Sequence, residues 1–537
     1  MKSDEPAWWE EAVVYQVYPR SFADSDGDGV GDLEGVRSRL PYLADLGVDA
    51  IWLTPFYPSP LADGGYDVSD YCEVDSLLGT LADFDALVED AAAHGIRVII
   101  DLVPNHCSVA HPLFRAALAA GSGSRDRGRF IFRDGRGRDG DDAPNDWLSM
   151  FGGPAWSRVQ DGQWYLHLFD AGQPDWNWRD PDVPAFFAKV IRFWLDRGAA
   201  GLRIDVAQGL FKDPDLPDAA ASVTSPAHSA YFHRPELHAL YRSWREILDS
   251  YPVVKFPGPR TAVGEVWSTG PEVLLPYLAE DELPQVFNFQ LLQVRDAAAL
   301  RAGVDAVRLL PGGSRAPWVM GNHDRIRLVT RFTLRGGTPR PDPSSADMRI
   351  GVRCARAAAL LLLALPGSAY IYQGDELGLP EVFDLPADTR TDPRFRLSGG
   401  KKLGRDGCRV PLPWTDDEPS SGFSPTGTSA PPWLPQPADW GHYSVAAERE
   451  DPGSFLNLYR SALRLRRSHP ALGRGDMCWL DGQPAGLHCF AREPGFTCAV
   501  NFGEVPRELP PHTKILLASE PISDSKLPPF AAAWLAT

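Results

Sequence analysis

Short apolar runs alternate with longer amphipathic stretches along most of the chain, beginning with Ala12-Val13-Val14-Tyr15-Gln16-Val17-Tyr18. Apolar runs separated by stretches long enough for a helix are the signature of β/α units that build a parallel sheet. Eight runs read as strands: Val13–Tyr18, Ala50–Thr54, Arg97–Val103, Gly201–Asp205, Ala262–Val266, Gln285–Phe289, Trp318–Gly321 and Ala369–Tyr372. Eight is the number a closed (β/α)8 TIM barrel requires, so an α/β barrel is the expected fold class. Between the strands, a helix over Thr80–His94 opens on Thr80-x-x-Asp83 and stops at Gly95, and one over Pro184–Arg197 opens on proline and stops at Gly198.

Two connections are much longer than the usual few residues. Residues 105–170, rich in Gly, Asp and Arg, are expected to form a small inserted domain after the third strand. The stretch from about Glu381 to Glu450, full of Pro, Ser, Asp and Trp, is expected to fold over the barrel mouth. A helix near Ser454–Ser468 would close the barrel, and alternating segments such as Gly486–Phe490 and Thr497–Phe502 point to a short C-terminal β-domain. The organisation read from the sequence is therefore a barrel over 1–104 and 171–470, an inserted domain over 105–170 and a β-domain over 471–537.

Composition narrows the partners. A formal charge of −18 over 537 residues repels nucleic acid and anionic membranes, so a neutral small ligand is the easier fit. Seventeen Trp and fifteen Tyr supply many flat faces of the kind that pack against sugar rings. The first residues are polar and lack a charged n-region followed by an apolar run, so no signal peptide is expected. The longest apolar run, Ala355–Pro366, is broken by Arg356 and too short for a bilayer. Seven cysteines without a C-x-x-C pair suggest free thiols in a reducing cytoplasm. The expectation is a cytoplasmic monomer or homodimer that binds neither nucleic acid nor membrane.

Function in such a barrel sits at the carboxyl ends of the strands. There the chain offers Asp101 and Asn105-His106 after strand three, Arg203 and Asp205 on strand four, Glu265 on strand five, and Asn322-His323-Asp324 after strand seven. On a strand, Arg203 and Asp205 point to one side while Leu202, Ile204 and Val206 point to the other. A guanidinium beside Asp205 favours the ionised carboxylate, as a nucleophile needs. Glu265, among apolar and aromatic neighbours in Val263-Gly264-Glu265-Val266-Trp267, would have its pKa raised, as a general acid needs. One ionised carboxylate and one carboxylic acid flanking an acetal are the equipment of glycoside hydrolysis.

These stretches carry a resemblance. Asp101-Leu102-Val103-Pro104-Asn105-His106, Gly201-Leu202-Arg203-Ile204-Asp205, Gly264-Glu265-Val266-Trp267 and Asn322-His323-Asp324, in this order, resemble the four signature regions of the α-amylase superfamily of glycoside hydrolases (family 13). Gln173-Pro174-Asp175-Trp176-Asn177 is similar to a segment of the oligo-1,6-glucosidase and α-glucosidase branch, and Tyr370-Ile371-Tyr372-Gln373-Gly374-Asp375-Glu376 resembles the family's eighth strand. The resemblance implies a retaining mechanism, with Asp205 as nucleophile, Glu265 as acid/base and Asp324 steadying the distorted sugar. It also implies that His106 and His323 bind hydroxyls of that sugar and that Arg203 orients Asp205. In Asp63-Gly64-Gly65-Tyr66-Asp67, Tyr66 would stack under the sugar. Asp63 would grip the 4-hydroxyl together with Arg409 of Arg405-Asp406-Gly407-Cys408-Arg409, and Phe151 would wall the same pocket.

A further stretch, Asp24-Ser25-Asp26-Gly27-Asp28-Gly29-Val30-Gly31-Asp32, presents carboxylates of Asp24, Asp26, Asp28 and Asp32 and the Val30 carbonyl, an oxygen-rich set suited to a hard cation. In relatives this loop holds a structural calcium ion. The implied activity is an exo-acting α-glucosidase that releases terminal glucose from malto- or isomalto-oligosaccharides and small α-glucosides. The alternative is a glucosyltransferase or glucoside isomerase on the same scaffold. Linkage choice is pulled two ways: Val206 after the nucleophile accompanies α-1,6 cleavage, whereas Asp205-Val206-Ala207-x-Gly209-Leu210 resembles actinobacterial α-glucosidases that act on α-1,4 links. Gln208, Cys107 and Trp176 replace the family's usual His, Thr and Leu near the pocket rim.

Overall fold

The computed structural model describes residues 7–219, 229–251, 258–267, 270–287, 289–293, 297–308, 310–334, 346–416 and 419–537. Eight parallel strands form one curled sheet: β1 (Val13–Val17), β2 (Ala50–Leu53), β3 (Arg97–Leu102), β4 (Gly201–Ile204), β5 (Thr261–Gly264), β6 (Gln285–Val286), β7 (Trp318–Val319) and β8 (Ala369–Tyr372). Their spatial order is β7-β8-β1-β2-β3-β4-β5-β6. Chain neighbours are sheet neighbours and β8 returns to β1, the cyclic order of a (β/α)8 barrel. Among the described residues no ladder joins β6 to β7, the two ends of the sheet. All eight expected strands are present, most ending a residue or two early. The expected span Gln285–Phe289 also crosses Asn288, which lies outside the described residues.

Helices cover the outside. The capping box expected at Thr80 is formed: Asp83 and Thr80 satisfy each other's backbone N–H groups at the start of α1 (Leu81–Ala93). Helix α2 (Asp182–Asp196) begins two residues before the expected Pro184. Proline still falls in the first turn, where its missing N–H has no helical partner to lose. Its buried Val183, Phe187, Val190, Ile191, Trp194 and Leu195 form one stripe at helical spacing. Helices α3 (Glu236–Asp249) and α4 (Ala346–Ala364) precede β5 and β8, and α5 (Phe455–Ser468), capped by Ser454, follows the barrel. No helix among the described residues is long and apolar enough to cross a membrane.

The inside of the barrel changes character along its axis. Its lower layer is apolar, with Val14, Ala50, Trp52, Ile99, Val263, Val319 and Tyr370 packed together. Each fully buried large side chain contributes about 1.5–3 kcal/mol. Towards the carboxyl ends the inward positions become polar: Gln16, Asp101 and Arg203 are all buried. Gly201 at the start of β4 is required by close packing, since a Cβ there would lie 2.5 Å from Thr261 Cγ2.

Between β3 and α2, Phe132–Asp134, Trp156–Arg158 and Gln163–Leu166 form a three-stranded antiparallel sheet, with Gln163–Leu166 in the middle. It has its own small core around Ile131, Trp147, Trp156 and Leu166. After α5, a five-stranded antiparallel sheet contains Leu487–Arg492, Phe496–Asn501 and Ala531–Ala536, the first two overlapping the segments expected to be β-structure.

Candidate active site

Register brings the two key carboxyl groups together. Asp101, Arg203 and Val263 are cross-strand partners on β3, β4 and β5, and one step further Leu102, Ile204 and Gly264 align. The ladder runs past the strand ends, with Asp205 N–H donating to Leu102 O at 2.8 Å and Glu265 N–H to Ile204 O at 2.9 Å. Asp205 and Glu265 therefore sit on adjacent strand ends at one level, where neighbouring strands are about 4.8 Å apart. A single guanidinium, that of Arg203, touches both carboxyl groups.

Arg203 is shared by three carboxylates. Its NH1 group contacts Asp101 Oδ1 at 2.9 Å and Asp205 Oδ1 at 2.6 Å, and its NH2 group contacts Glu265 Oε2 at 2.7 Å. Arg203 was expected to orient Asp205 and favour its ionised form; it contacts Asp101 and Glu265 as well. Burial, reinforced by the charges of Glu265 and Asp101, pushes the Asp205 carboxyl well above the ordinary carboxylate range despite Arg203. Burial likewise lifts Asp101 to about 7. Glu265 holds more donors than the sequence implied: Val206 N–H reaches Oε2 at 3.0 Å and Trp267 Nε1–H reaches Oε1 at 3.0 Å. One cation thus serves three buried acids.

These groups open into a cavity of about 260 Å³ lined by Asp63, Tyr66, His106, Phe151, Asp205, Val206, Glu265, Trp267, Asp324, Arg394 and Arg405, among others. A relay fixes one wall. Gln16 Nε2 lies 2.6 Å from His323 Nδ1, His323 Nε2 lies 2.8 Å from Tyr66 Oη, and Tyr66 O–H donates to Asp101 Oδ2 at 3.0 Å. An amide N–H can only donate, so Nδ1 accepts and Nε2 carries the imidazole proton. The Tyr66 and His323 rings are stacked, 5.3 Å apart and within 1° of parallel. Burial lowers His106 to about 4 and His323 to about 3, so both rings are neutral near pH 7. Phe151 forms another wall, edge-on to Phe169 at 5.6 Å.

One side of the pocket is lined by charge, and here Arg405 joins Asp63 and Arg409, the two residues expected to grip the 4-hydroxyl. Arg405, rather than Arg409, holds Asp63: its NH2 group contacts Asp63 Oδ1 at 2.5 Å, its NH1 group Asp324 Oδ1 at 3.1 Å, and its Nε Asp392 Oδ2 at 2.5 Å. Arg409 stands behind, donating to Asp324 Oδ1 and to the His323 carbonyl, each at 2.9 Å. Burial works to raise Asp324, but His323, Arg405, Arg409 and Arg394 together hold it well below the ordinary carboxylate range. Asp324 thus presents a fixed negative charge, its side chain 25% exposed.

Val206 also departs from expectation. Strand alternation would turn it away from the pocket, yet it lines the cavity, because the chain leaves β4 with Val206 at φ 45°. A β-branched residue in the left-handed region is strained. The turn directs Val206 N–H at Glu265.

The catalytic-domain model of the α-amylase family matches residues 16–475. The chain belongs to the α-amylase family. A probable α-glucosidase of Rhizobium meliloti (strain 1021) is 39% identical over 498 residues, covering 88% of this chain and 84% of the relative. The crystal structure of an α-glucosyl transfer enzyme, XgtA, superposes with a TM-score of 0.84 at 36% identity, covering 99% of both chains. The trehalulose synthase MutB from Pseudomonas mesoacidophila MX-45 gives a TM-score of 0.85 at 30% identity, covering 99% of this chain and 100% of that one. This α-amylase-family chain is a glycoside hydrolase of α-glucosidase type.

Several residues of this α-amylase-family pocket escaped the sequence reading. Gln173 Nε2 lies 3.3 Å from Asp63 Oδ2 and 3.0 Å from His106 Nε2, joining two groups expected to bind sugar. Behind them, Lys212 Nζ contacts Asn105 Oδ1 at 2.7 Å and Asp175 Oδ2 at 2.8 Å, tying the loop after β4 to the inserted segment. Gln173, Asp175 and Arg405 stood in quoted motifs, so a signal existed. Arg394 and Lys212 stood in none.

Oxygens of Asp24, Asp26 and Asp28 lie within 4.8 Å of one another, a set that could hold a cation. Asp32 is not gathered with them. It caps the helix Leu33–Ser38, taking Gly35 N–H on Oδ1 at 2.6 Å and Ser25 N–H on Oδ2 at 2.8 Å. Burial, opposed by the Val30 N–H and reinforced by the charges of Asp26 and Asp24, raises the Asp28 carboxyl, a cost that a bound cation would relieve.

Proposed function

We propose that the protein is a retaining, exo-acting α-glucosidase that releases one glucose at a time from the non-reducing end of malto- or isomalto-oligosaccharides and small α-glucosides. The observation that carries this reading is Asp205 and Glu265 on one guanidinium, beside a pocket whose far end is sealed by Arg405. Asp205 attacks the anomeric carbon while Glu265 protonates the leaving oxygen. Glu265 then deprotonates the water that releases glucose. Asp324 faces the positive charge that develops on the sugar ring. Tyr66, His106, His323, Asp63 and Phe151 shape and bind the same ring, and Arg203 orients the two acids. At the closed end three guanidiniums, Arg394, Arg405 and Arg409, face three carboxylates, Asp63, Asp324 and Asp392, a balance suited to a neutral sugar. A calcium ion held by Asp24, Asp26 and Asp28 would support the loop after β1, remote from the chemistry.

The test is a panel of glucose disaccharides differing only in linkage, plus p-nitrophenyl α-glucoside, followed by NMR. Release of α-glucose as the first-formed anomer is expected; β-glucose first, or no turnover of any α-linkage, would overturn the reading. Transfer to a sugar acceptor is the second reading, favoured by the apolar Met150, Phe169, Phe232 and Trp267 side chains that also line the cavity. Mainly transfer products at high sugar concentration would establish it instead.

A further inference from the structure

The connection from Glu381 to Glu450 delivers more than Arg405 to the pocket. Its short helix Pro393–Leu397, capped by Asp392, carries two arginines with different fates. Arg396 pins the connection to the inserted segment, its NH2 group contacting Asp170 Oδ2 at 2.8 Å. Arg394 turns inward and lines the sugar cavity. Its guanidinium carbon lies 5.7 Å from the centre of the Phe151 ring, which Arg405 also covers at 5.1 Å.

Among the described residues, the Arg394 guanidinium has no hydrogen-bond or ion-pair partner, whereas Arg203, Arg405 and Arg409 in the same pocket are each engaged by carboxylates. The contrast is informative. A half-buried guanidinium beside a second cation is costly to keep without partners, and Arg394 feels Asp324, Asp392 and Asp63 only through space. Its side chain lines a cavity of about 260 Å³.

We propose that Arg394 is a substrate-binding residue that donates hydrogen bonds to the 4-hydroxyl or the 6-hydroxyl of the terminal glucose. This rests on the α-glucosidase reading above and extends it. If the anomeric carbon lies between Asp205 and Glu265, C4 is the ring atom across from it, and the 4-hydroxyl and neighbouring 6-hydroxymethyl group reach the end where Asp63, Arg405 and Arg394 meet. Arg394 then reads the one end of the sugar that a further residue or an epimer would change. It is a discriminator of terminal glucose, placed on a connection separate from every strand-end motif.

The experiment compares wild type with Arg394→Met on p-nitrophenyl α-glucoside and on its 3-, 4- and 6-deoxy analogues. Arg394→Met should lower kcat/KM on the parent glucoside about 10- to 100-fold, as expected for loss of a hydrogen bond from a charged donor, with an unchanged melting temperature. On the analogue lacking the contacted hydroxyl, the variant and wild type should be nearly equal, while the 3-deoxy analogue keeps the full penalty. The inference is overturned if the variant matches wild type on the parent, or if the penalty is the same on all three deoxy sugars. A wild type inactive on the parent glucoside would instead remove the underlying activity.

Discussion

Arg203 holds Asp205 and Glu265 with the two ends of one guanidinium, NH1 at 2.6 Å from the first and NH2 at 2.7 Å from the second. The fork fixes their separation as well as their charge. A lysine could supply the charge but only a single point of contact. Arg203→Lys should therefore lower kcat on p-nitrophenyl α-glucoside by at least about 100-fold. A variant within a few-fold of wild type in steady-state kinetics would show that the fork is dispensable.

Trp267 is trapped in a stack. The Phe289 ring centre lies 4.3 Å from its own and the Arg325 guanidinium 4.6 Å. The side chain's one polar group is the N–H given to Glu265 Oε1. Trp267→Phe keeps the stack and removes that donor. Losing that donor should lower kcat on p-nitrophenyl α-glucoside about 10-fold in steady-state kinetics. A variant within two-fold of wild type would mean the hydrogen bond is not used during turnover.

The two buried histidines set an acid limit to stability. His106 and His323 titrate near 4 and 3 in the folded protein, below the ordinary value near 6.5. As pH falls below about 6.5 the unfolded chain takes up protons that the folded chain refuses, so each ring removes about 1.4 kcal/mol of stability per pH unit until its folded value is reached. Above about 6.5 this contribution is fully present. Replacing His323 by Gln should flatten the fall in unfolding free energy between about pH 6 and pH 4; urea titrations across that range read the slope, and an unchanged slope would refute the assignment.

Arg405 is the shared partner of Asp63, Asp324 and Asp392. Arg405→Met leaves these carboxylates facing one another and should cost about 3–5 kcal/mol of stability, measured as a lowered urea midpoint. Adding Asp392→Asn should restore part of it. Failure of the second substitution to recover anything would place the cost in lost packing instead.

Calcium, if bound by Asp24, Asp26 and Asp28, adds about 2.7 kcal/mol at a hundredfold excess over its dissociation constant. A chelator should then lower the melting temperature while leaving kcat at low temperature untouched. An unaffected melting temperature would leave those aspartates as a turn held by their own backbone N–H groups, such as Gly27 N–H on Asp24 Oδ1 at 2.7 Å.

Strand ends were the most legible feature of the sequence, because residues that must stand at the mouth of a parallel barrel follow apolar runs directly. Asp101, Asp205, Glu265 and Asp324 were placed from that position. What could not be read was partnership across distance. Which of Arg405 and Arg409 meets Asp63 depends on a short 3-10 turn at Asp406–Cys408 that sends the two side chains different ways. Sequence spacing put Arg203 beside Asp205, whereas only the cross-strand register shows that it also serves Asp101 on β3 and Glu265 after β5. Val206 shows the same limit locally, since alternation holds only while the backbone stays extended.

Under the exo-acting reading proposed above, the Arg405–Asp63 contact makes the pocket a cul-de-sac. Whatever enters would leave by the same route, so after each cut the shortened chain would depart before the sugar it has lost. That order would rule out sliding along a polymer from one cut to the next. It would also let accumulating glucose obstruct the doorway against new substrate, a brake that requires no second site.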